Sequence, residues 1–313
     1  MTETHILPAD EAGIAEAAAL IASGLPVAVP TETVYGLAGD ATSGTAVAAI
    51  YAAKGRPSFN PLIAHVTDLE MAARIAILSP LAHQLAGHFW PGPLTMVLPA
   101  AERSPIASLA TAGLTTIAVR MPAHPVMRAL IAAVGGPLAA PSANASGTIS
   151  ATRAGHVARS LGGRIALVLD GGATAVGIES TIVAVEPDRL RLLRPGSITA
   201  AMLEEATGIA VDTQDNGAIE APGQMTSHYA PSKPVRLDAE TARQDEFHIG
   251  FGSIPGDASL SPTGDLNEAA ARLFDLLHRA DEASAGAIAV APIPATGLGA
   301  AIHDRLKRAA APR

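Results

Sequence analysis

Lys54 and Arg56 stand one residue apart at the end of a segment with helical periodicity, and Asn60 follows them in the stretch KGRPSFNPLIAHV. Lysine binds phosphate oxygens as a point charge and arginine binds them as a bidentate fork, so these residues could bind a phosphate group. The simpler interpretation is that the helix dipole stabilises cations at a helix C-terminus. Only three of the 21 basic residues are lysines, which makes Lys54 unusual without deciding between the two interpretations.

Further polar stretches follow predicted strands, where α/β folds place their ligands. In PTETVYGLAGDA the polar residues are denser than a turn requires. PSANASG could present backbone N–H groups to an anion or form an Asx-rich turn. GIEST contains Ser180, and LRPGS contains Arg194. Each stretch alone is a weak signal, but their common position at strand ends predicts a binding site.

Two polar residues lie inside otherwise apolar strands. Arg120 stands near the end of TTIAVRMP, and buried arginines are rare unless they are paired. We therefore expect a carboxylate partner for Arg120, from the protein or from a substrate. His65 stands in PLIAHV, where a lone histidine is more often a core residue with satisfied hydrogen bonds than a ligand.

Composition narrows the class of protein. The 313 residues are 49% hydrophobic and 16% charged, which indicates a folded globular protein of about two domains. There is no cysteine and no apolar leader in MTETHILPADE, so we expect a cytoplasmic protein without a membrane segment. The net charge of −8 argues against broad nucleic-acid binding. The chain has no G-x-x-x-x-G-K-[ST] loop, no H-E-x-x-H motif and no convincing metal cluster among its ten histidines.

The predicted elements fall into two folded regions joined by a polar stretch. Over residues 1–210 strands alternate with helices and then cluster, which predicts an α/β domain with a mixed sheet. Residues 211–233 have no clear periodicity, and residues 234–313 predict a β-β-α-β-α unit. Within the connector, APGQMTSHYAP contains His228 and Tyr229, and Tyr229 is one of only three tyrosines.

Taken in order, PTETVYGLAGDA, KGRPSFNPLIAHV, PSANASG, GIESTIV and LRPGSI closely resemble the Sua5/YrdC/YciO family, and APGQMTSHYAP resembles the linker of its longer Sua5 type. The resemblance implies a YrdC-like twisted mixed sheet over residues 1–210, a linker that acts as a lid over 211–233, and a small Rossmann-like Sua5 C-terminal domain over 234–313. It also implies synthesis of threonylcarbamoyl-adenylate from ATP, L-threonine and bicarbonate, for the N6-threonylcarbamoyladenosine modification of tRNA. Mg²⁺ would accompany ATP.

The resemblance also implies roles for individual residues, with Lys54 and Arg56 as the catalytic pair. The expected contacts to L-threonine are Thr33, His65, Arg120, Ala140 and Ser180. The expected contacts to ATP are Lys54, Arg56, Asn60, Thr116, Ser142, Ser150, Arg194 and Tyr229, with Asn144 as an additional candidate. No residue is implied as a metal ligand. A monomer is expected, with a transient partner in the machinery that transfers the threonylcarbamoyl group to tRNA.

One departure from the family pattern concerns the linker. The family usually has basic residues before HYAP, whereas this chain has Gln224, Met225, Thr226 and Ser227. Neutralisation of triphosphate charge by the linker is therefore in question. Two other functions remain open: an RNA-binding module without catalysis, and a relative that transfers other carbamoyl groups.

Overall fold

The computed structural model describes residues 3–214, 220–224 and 227–312. Its larger sheet and flanking helices are built from the first two thirds of the chain. The strands are β1 His5–Pro8, β2 Val27–Val29, β3 Gly36–Asp40, β4 Ile63–His65, β5 Leu94–Pro99, β6 Thr116–Arg120, β7 Leu138–Ala139, β8 Leu167–Asp170, β9 Thr181–Val185, β10 Leu190–Arg194 and β11 Val211–Asp212. The helices are α1 Glu11–Ala22, α2 Gly44–Lys54, α3 Leu69–Ile75, α4 Pro80–Phe89, α5 Pro125–Val134, α6 Ala154–Leu161 and α7 Ala200–Thr207.

The larger sheet has eleven strands in the order β1-β8-β2-β3-β7-β4-β6-β5-β9-β10-β11. Strand pairs β4–β6 and β5–β9 are parallel, whereas β3–β7 and β5–β6 are antiparallel. The prediction of a mixed α/β sheet is therefore confirmed. The central strands are buried on both faces, as their continuous apolar runs predict.

The smaller sheet follows near the C-terminus and is wholly parallel. Its strands are β12 Val235–Arg236, β13 Glu246–Gly250, β14 Ala258–Ser259 and β15 Ala287–Val290, in the order β12-β15-β13-β14, and its helices are α8 Leu266–Glu282 and α9 Leu298–Ala310. A parallel sheet with helices agrees with the Rossmann-like expectation. The sequence pattern missed β14, because two paired residues are too few to show a period.

Local signals in the sequence fix the end of α2 and with it the position of Lys54. The Ser43 hydroxyl accepts a hydrogen bond from the Ala46 amide at 3.2 Å and caps the start of this helix. Gly55 ends the helix in the left-handed conformation, at φ 62°. Lys54, the last helical residue, is buried by this turn.

The two sheets are held together by a shared hydrophobic cluster. Val34, Ile149 and Ile178, from the region of the larger sheet, pack with the core residues of α8 and α9, and Tyr229 of the connector belongs to the same cluster. The connector begins while the larger sheet continues, because β11 falls within residues 211–233 and pairs with β10. Within the described part of the chain, none of the helices has both the length and the apolar character that a bilayer span requires.

Candidate active site

A small cleft lies where the strand ends of the larger sheet meet the connector. It encloses about 40 Å³ in this conformation. Nine of the thirteen residues predicted to bind substrates line it: Thr33, Arg56, His65, Arg120, Ala140, Ser142, Ser180, Arg194 and Tyr229. Stretches that are far apart in sequence therefore meet at one place, which the strand-end argument predicted without giving their arrangement.

The other four predicted residues lie outside the lining of this cleft. Lys54 is buried, and its Nζ donates to the carbonyl oxygens of Ser142 and Asn144, each at 2.5 Å. Ser150 has no exposed surface, and its hydroxyl donates to Glu179 Oε1 at 2.5 Å. Thr116 is half-buried at the start of β6, whereas Arg120 ends that strand. Asn60 is buried, and its carbonyl oxygen accepts from the Tyr51 hydroxyl at 2.8 Å.

Arg120 has the carboxylate partner that its buried position predicted, and this partner belongs to the protein. Arg120 Nη2 lies 2.5 Å from Glu32 Oε1, and Nη1 donates to Thr33 Oγ1 at 3.0 Å. Burial raises the pKa of the Glu32 carboxyl, but the charge of Arg120 and its hydrogen bond outweigh this and hold the pKa below its usual value. Glu32 is therefore ionised at neutral pH and holds the guanidinium in place.

Three other cations, two in the cleft lining and Lys54 outside it, are buried without a carboxylate at ion-pair distance among the described residues. The described hydrogen bonds of Lys54 end on carbonyl oxygens, as do those of Arg56, which reach Asn60 and Pro61. Arg194 donates to the Ser180 carbonyl at 3.1 Å and to its hydroxyl at 3.1 Å. Buried charges are normally paired. This cluster of cations is therefore suited to a ligand with several negative charges.

Burial and mutual repulsion make these cations receptive to an anion. Burial, and then the charge of Arg56, holds the pKa of Lys54 well below its usual range. Burial lowers the pKa of Arg56 to about 10, so this guanidinium still carries its charge at neutral pH. A bound polyanion would relieve the repulsion and favour the protonated form of Lys54.

The two histidines at the cleft are neutral at physiological pH. Burial, and then the charge of Arg120, lowers the pKa of His65 to about 3. Its Nδ1 lies 3.2 Å from the Ile63 carbonyl oxygen, so the ring is oriented by its own strand. Burial also lowers the pKa of His228 to about 3. His228 therefore does not replace the basic residues that the linker lacks.

The connector crosses the cleft through Pro222, Gly223, His228 and Tyr229. Tyr229 has a φ of 60° and 1% of its surface exposed, and its ring lies 5.6 Å from that of Phe274 in α8. Its hydroxyl has no hydrogen-bond partner among the described residues. Because this hydroxyl belongs to a residue of the cleft lining, it is placed to meet a ligand. Met225 and Thr226 lie outside the described residues.

Sequence reasoning missed three charged residues of the site: Glu32, Glu179 and Arg305. Glu32 and Glu179 stand inside the motifs PTETVYG and GIEST, so the motifs marked the place but not these roles. Arg305 falls on the apolar face of α9, with Ala301, Ile302 and Leu306. An arginine at a core position of a helix was the signal that could have revealed it.

Comparison with known proteins assigns the whole chain. The Sua5_yciO_yrdC family, described as "Telomere recombination", matches residues 19–196. The Sua5_C family, described as "Threonylcarbamoyl-AMP synthase, C-terminal domain", matches residues 198–311. The chain belongs to the Sua5/YciO/YrdC family. The two matches together make it a member of the longer Sua5 type.

Relatives that match over nearly their whole length support this assignment. A threonylcarbamoyl-AMP synthase of Bacillus subtilis is 40% identical, over 99% of this chain and 96% of its own length. A threonylcarbamoyl-AMP synthase of Pyrococcus abyssi is 39% identical, over 94% of this chain and 92% of its own length. The crystal structure of P. abyssi Sua5 complexed with L-threonine has a TM-score of 0.87 and 37% identity, and covers 99% of this chain and 97% of that one. At this coverage the likeness extends over both sheets.

Proposed function

We propose that this protein is a threonylcarbamoyl-AMP synthase that joins L-threonine, bicarbonate and ATP and releases pyrophosphate. The observation that carries the proposal is the group of buried cations, Lys54, Arg56 and Arg194, that lie beside the Arg120–Glu32 pair without carboxylate partners of their own in the described part of the chain. These three cations suit a triphosphate. The fourth cation, Arg120, is oriented by Glu32 and suits an amino-acid carboxylate. Full-length relatives bearing this name support the same conclusion.

The reaction joins two steps. The amine of threonine attacks bicarbonate carbon and water leaves, which gives a carbamate. A carbamate oxygen then attacks the α-phosphorus of ATP, and the bond to the bridging oxygen of pyrophosphate breaks. Such a displacement needs positioning and neutralisation of charge more than a covalent nucleophile. The chain accordingly offers cations and backbone groups at this cleft.

The threonine end of the site is assigned to the Arg120 side. A guanidinium has five donors, and three of those of Arg120 bond Glu32, Thr33 and the Gly92 carbonyl oxygen. Arg120 would bind the substrate carboxylate with the N–H groups left on Nη1 and Nη2. Neutral His65 and the Ala140 backbone would lie against the same molecule. Ser180 would be oriented by Arg194, which donates to its hydroxyl at 3.1 Å.

The nucleotide end is assigned to the cation cluster. Lys54 and Arg56 would neutralise phosphate oxygens as negative charge develops during displacement. Arg194 and the Tyr229 hydroxyl, which also belong to residues of the cleft lining, would bind the same group. The other contacts of the nucleotide stay predictions: Asn60, Thr116, Ser142, Ser150 and Asn144.

Mg²⁺ is proposed to arrive with ATP rather than to occupy a protein site. Among the described residues no three histidine or acidic side chains converge as a metal site. Mg²⁺ bound to a triphosphate takes most of its ligands from phosphate oxygens and water, so the absence of such a cluster is compatible with the proposal. We assign no step of the reaction to the ion.

The connector is proposed to act as a lid. A volume of about 40 Å³ is far below the roughly 300–1,000 Å³ of ligand pockets in general, so residues 220–224 and 227–230 must move before ATP can enter. A lid that closes again over the mixed anhydride would protect it from water. The product would then pass to the enzymes that modify tRNA in the cytoplasm, and the synthase itself would act as a monomer.

A pyrophosphate-release assay tests the proposal. We expect release from ATP only when both L-threonine and bicarbonate are present, with threonylcarbamoyl-AMP as the second product by mass spectrometry. D-threonine and L-alanine serve as matched controls, because they alter the configuration or remove the hydroxyl. ATP turnover that is indifferent to L-threonine would contradict the proposed function.

A further inference from the structure

The C-terminal helix α9 contains a charged side chain, that of Arg305, that lies in the interior of the protein. Arg305 is the largest side chain with less than 2% of its surface exposed among the residues that the structure describes, and it has no exposed surface at all. Burying a guanidinium is costly unless its donors are matched by acceptors. An arginine at this position therefore calls for an explanation beyond packing.

The contacts of Arg305 reach from the C-terminal unit to the region of the larger sheet. Its Nε donates to Glu179 Oε2 at 2.8 Å, and its Nη1 donates to Asp304 Oδ2 at 2.7 Å. The guanidinium carbon lies 5.2 Å from the centre of the Tyr229 ring, at cation–π distance. Arg305 thus touches one carboxylate and one aromatic residue of the cleft lining.

Glu179 is an acidic residue of the cleft lining, and the charges of Arg305 and Arg194 act on it. Its second oxygen, Oε1, accepts from the Ser150 hydroxyl at 2.5 Å. Burial raises the pKa of the Glu179 carboxyl, but the charges of Arg305 and Arg194 outweigh it and keep the carboxyl ionised. A carboxylate in this position attracts the same cations that a triphosphate needs. Unless another cation holds it, Glu179 would compete with ATP for Arg194 and Lys54.

We propose that Arg305 is a positioning residue of the synthase, which fixes and neutralises Glu179 so that Arg194 and Lys54 face the triphosphate and Tyr229 faces the nucleotide. This inference rests on the proposed function and deepens it. It gives the C-terminal unit a defined part in nucleotide binding, because α9 supplies a residue that the cleft needs. Arg305 itself touches no substrate.

The experiment measures steady-state kinetics and direct nucleotide binding for Arg305→Met. We expect the KM for ATP to rise about tenfold, equivalent to roughly 1.4 kcal/mol, because the freed Glu179 carboxylate binds the phosphate-binding cations. The KM for L-threonine should change much less, since Arg120 keeps its own partner. Calorimetry with a non-hydrolysable ATP analogue should show the same loss of affinity.

Two further variants separate this role from a structural one. The double variant Glu179→Gln/Arg305→Met removes both charges, so we expect its KM for ATP to return most of the way to the wild-type value. Lys307→Met removes a cation from an exposed position of the same helix and should leave both KM values unchanged. If Arg305→Met does not fold, Arg305→Lys replaces it as the test. We then expect an intermediate rise in the KM for ATP and no change in the KM for threonine.

An Arg305→Met or Arg305→Lys protein with the wild-type affinity for ATP would overturn the proposal. Equal rises in the KM for ATP and the KM for threonine would also overturn it if the added Glu179→Gln substitution does not relieve them. Such a result would indicate general damage to the protein. Failure of the proposed function is distinguishable from either result. In that case the wild-type protein would release no threonine-dependent pyrophosphate. Calorimetry of ATP-analogue binding to the wild-type protein and the Arg305 variants would still test the role of Arg305.

Discussion

Arg120, in the cleft lining, and Glu32 form a largely buried ion pair, with 2.5 Å between Nη2 and Oε1. The pair fixes the plane of the guanidinium, and the Thr33 hydroxyl at 3.0 Å from Nη1 fixes it further. A substrate carboxylate then meets an arginine that is already oriented. This preorganisation lowers the entropic cost of binding.

Arg120→Ala should raise the KM for L-threonine far more than the KM for ATP, because the lost partner is that of the amino-acid carboxylate. We expect at least about a hundredfold effect on kcat/KM for threonine, as for loss of a charge-assisted bidentate contact worth about 3 kcal/mol. Initial rates with each substrate varied in turn measure the split. A larger effect on the KM for ATP would show that the two ends of the cleft are assigned the wrong way round.

The same variant needs a control for folding, because it leaves the Glu32 carboxylate buried without its partner. Breaking a buried pair in this way costs about 3–5 kcal/mol. The double variant Glu32→Gln/Arg120→Ala removes that charge and should recover much of the free energy of unfolding. Its KM for threonine should stay high. If the free energy of unfolding and the KM for threonine both returned to their wild-type values, Arg120 would stabilise the fold without binding the substrate.

Tyr229→Phe should weaken nucleotide binding without lowering stability. The Tyr229 hydroxyl is buried and has no partner among the described residues, and an unsatisfied buried hydroxyl costs about 1–3 kcal/mol. Removing it should leave the free energy of unfolding unchanged or raised. The KM for ATP should rise, by about tenfold if the lost hydrogen bond is worth about 1.4 kcal/mol. Denaturant unfolding measures the free energy of unfolding, and initial rates measure the KM for ATP. An unchanged KM would show that the connector is a spacer that does not bind the nucleotide.

The grouping of the candidate site residues could be predicted from the sequence, but their pairings could not. Motifs at strand ends share a region because neighbouring strands end together, and nine of the predicted residues line one cleft. The need for a carboxylate near Arg120 followed from the cost of burying a charge, yet its identity as Glu32 depends on the turn after β2. The partnership of Glu179 with Arg305 joins residues 126 positions apart. They are brought together only in the folded protein, where one hydrophobic cluster joins α9 to Val34 and Ile178.

His156 should make stability depend on pH below neutrality. Burial, and then the neighbouring His278, lowers its pKa to about 3, and its Nδ1 accepts from the Thr152 amide at 3.3 Å. The charged groups near it are Asp275, Arg153 and Arg159. The unfolded chain binds a proton at about pH 6.5, so stability is full above that pH and is lost as the pH falls towards 3. One such histidine contributes a loss of about 1.4 kcal/mol between pH 7.5 and 5.5.

His156→Gln removes this proton-binding site, so the loss of stability between those two pH values should shrink by about 1.4 kcal/mol. Urea unfolding at both pH values measures it. His83→Gln is the matched control, because His83 is exposed on α4 and its ring meets water in both states. An equal pH dependence in wild type and His156→Gln would contradict the expectation.

Gly223→Ala should disturb the cleft through the connector. Gly223 has a φ of 87°, and a Cβ there would lie 2.8 Å from the Tyr229 hydroxyl oxygen and 2.9 Å from Arg194 Cδ. Both neighbours are buried residues of the proposed nucleotide site, so they must move to admit the methyl group. We expect the KM for ATP to rise about tenfold, the equivalent of roughly 1.4 kcal/mol, and the KM for threonine to change less.

Gly24→Ala is the matched control for the backbone. Its φ of 86° is nearly the same, and a Cβ there would meet nothing within 4 Å. The strained backbone alone should cost each substitution about 1–2 kcal/mol of stability, because alanine is strained in the left-handed region. Only Gly223→Ala should also weaken ATP binding, measured by titration with a non-hydrolysable analogue. Equal ATP affinity in the two variants would mean that the connector can shift without carrying Tyr229 and Arg194 away from the nucleotide.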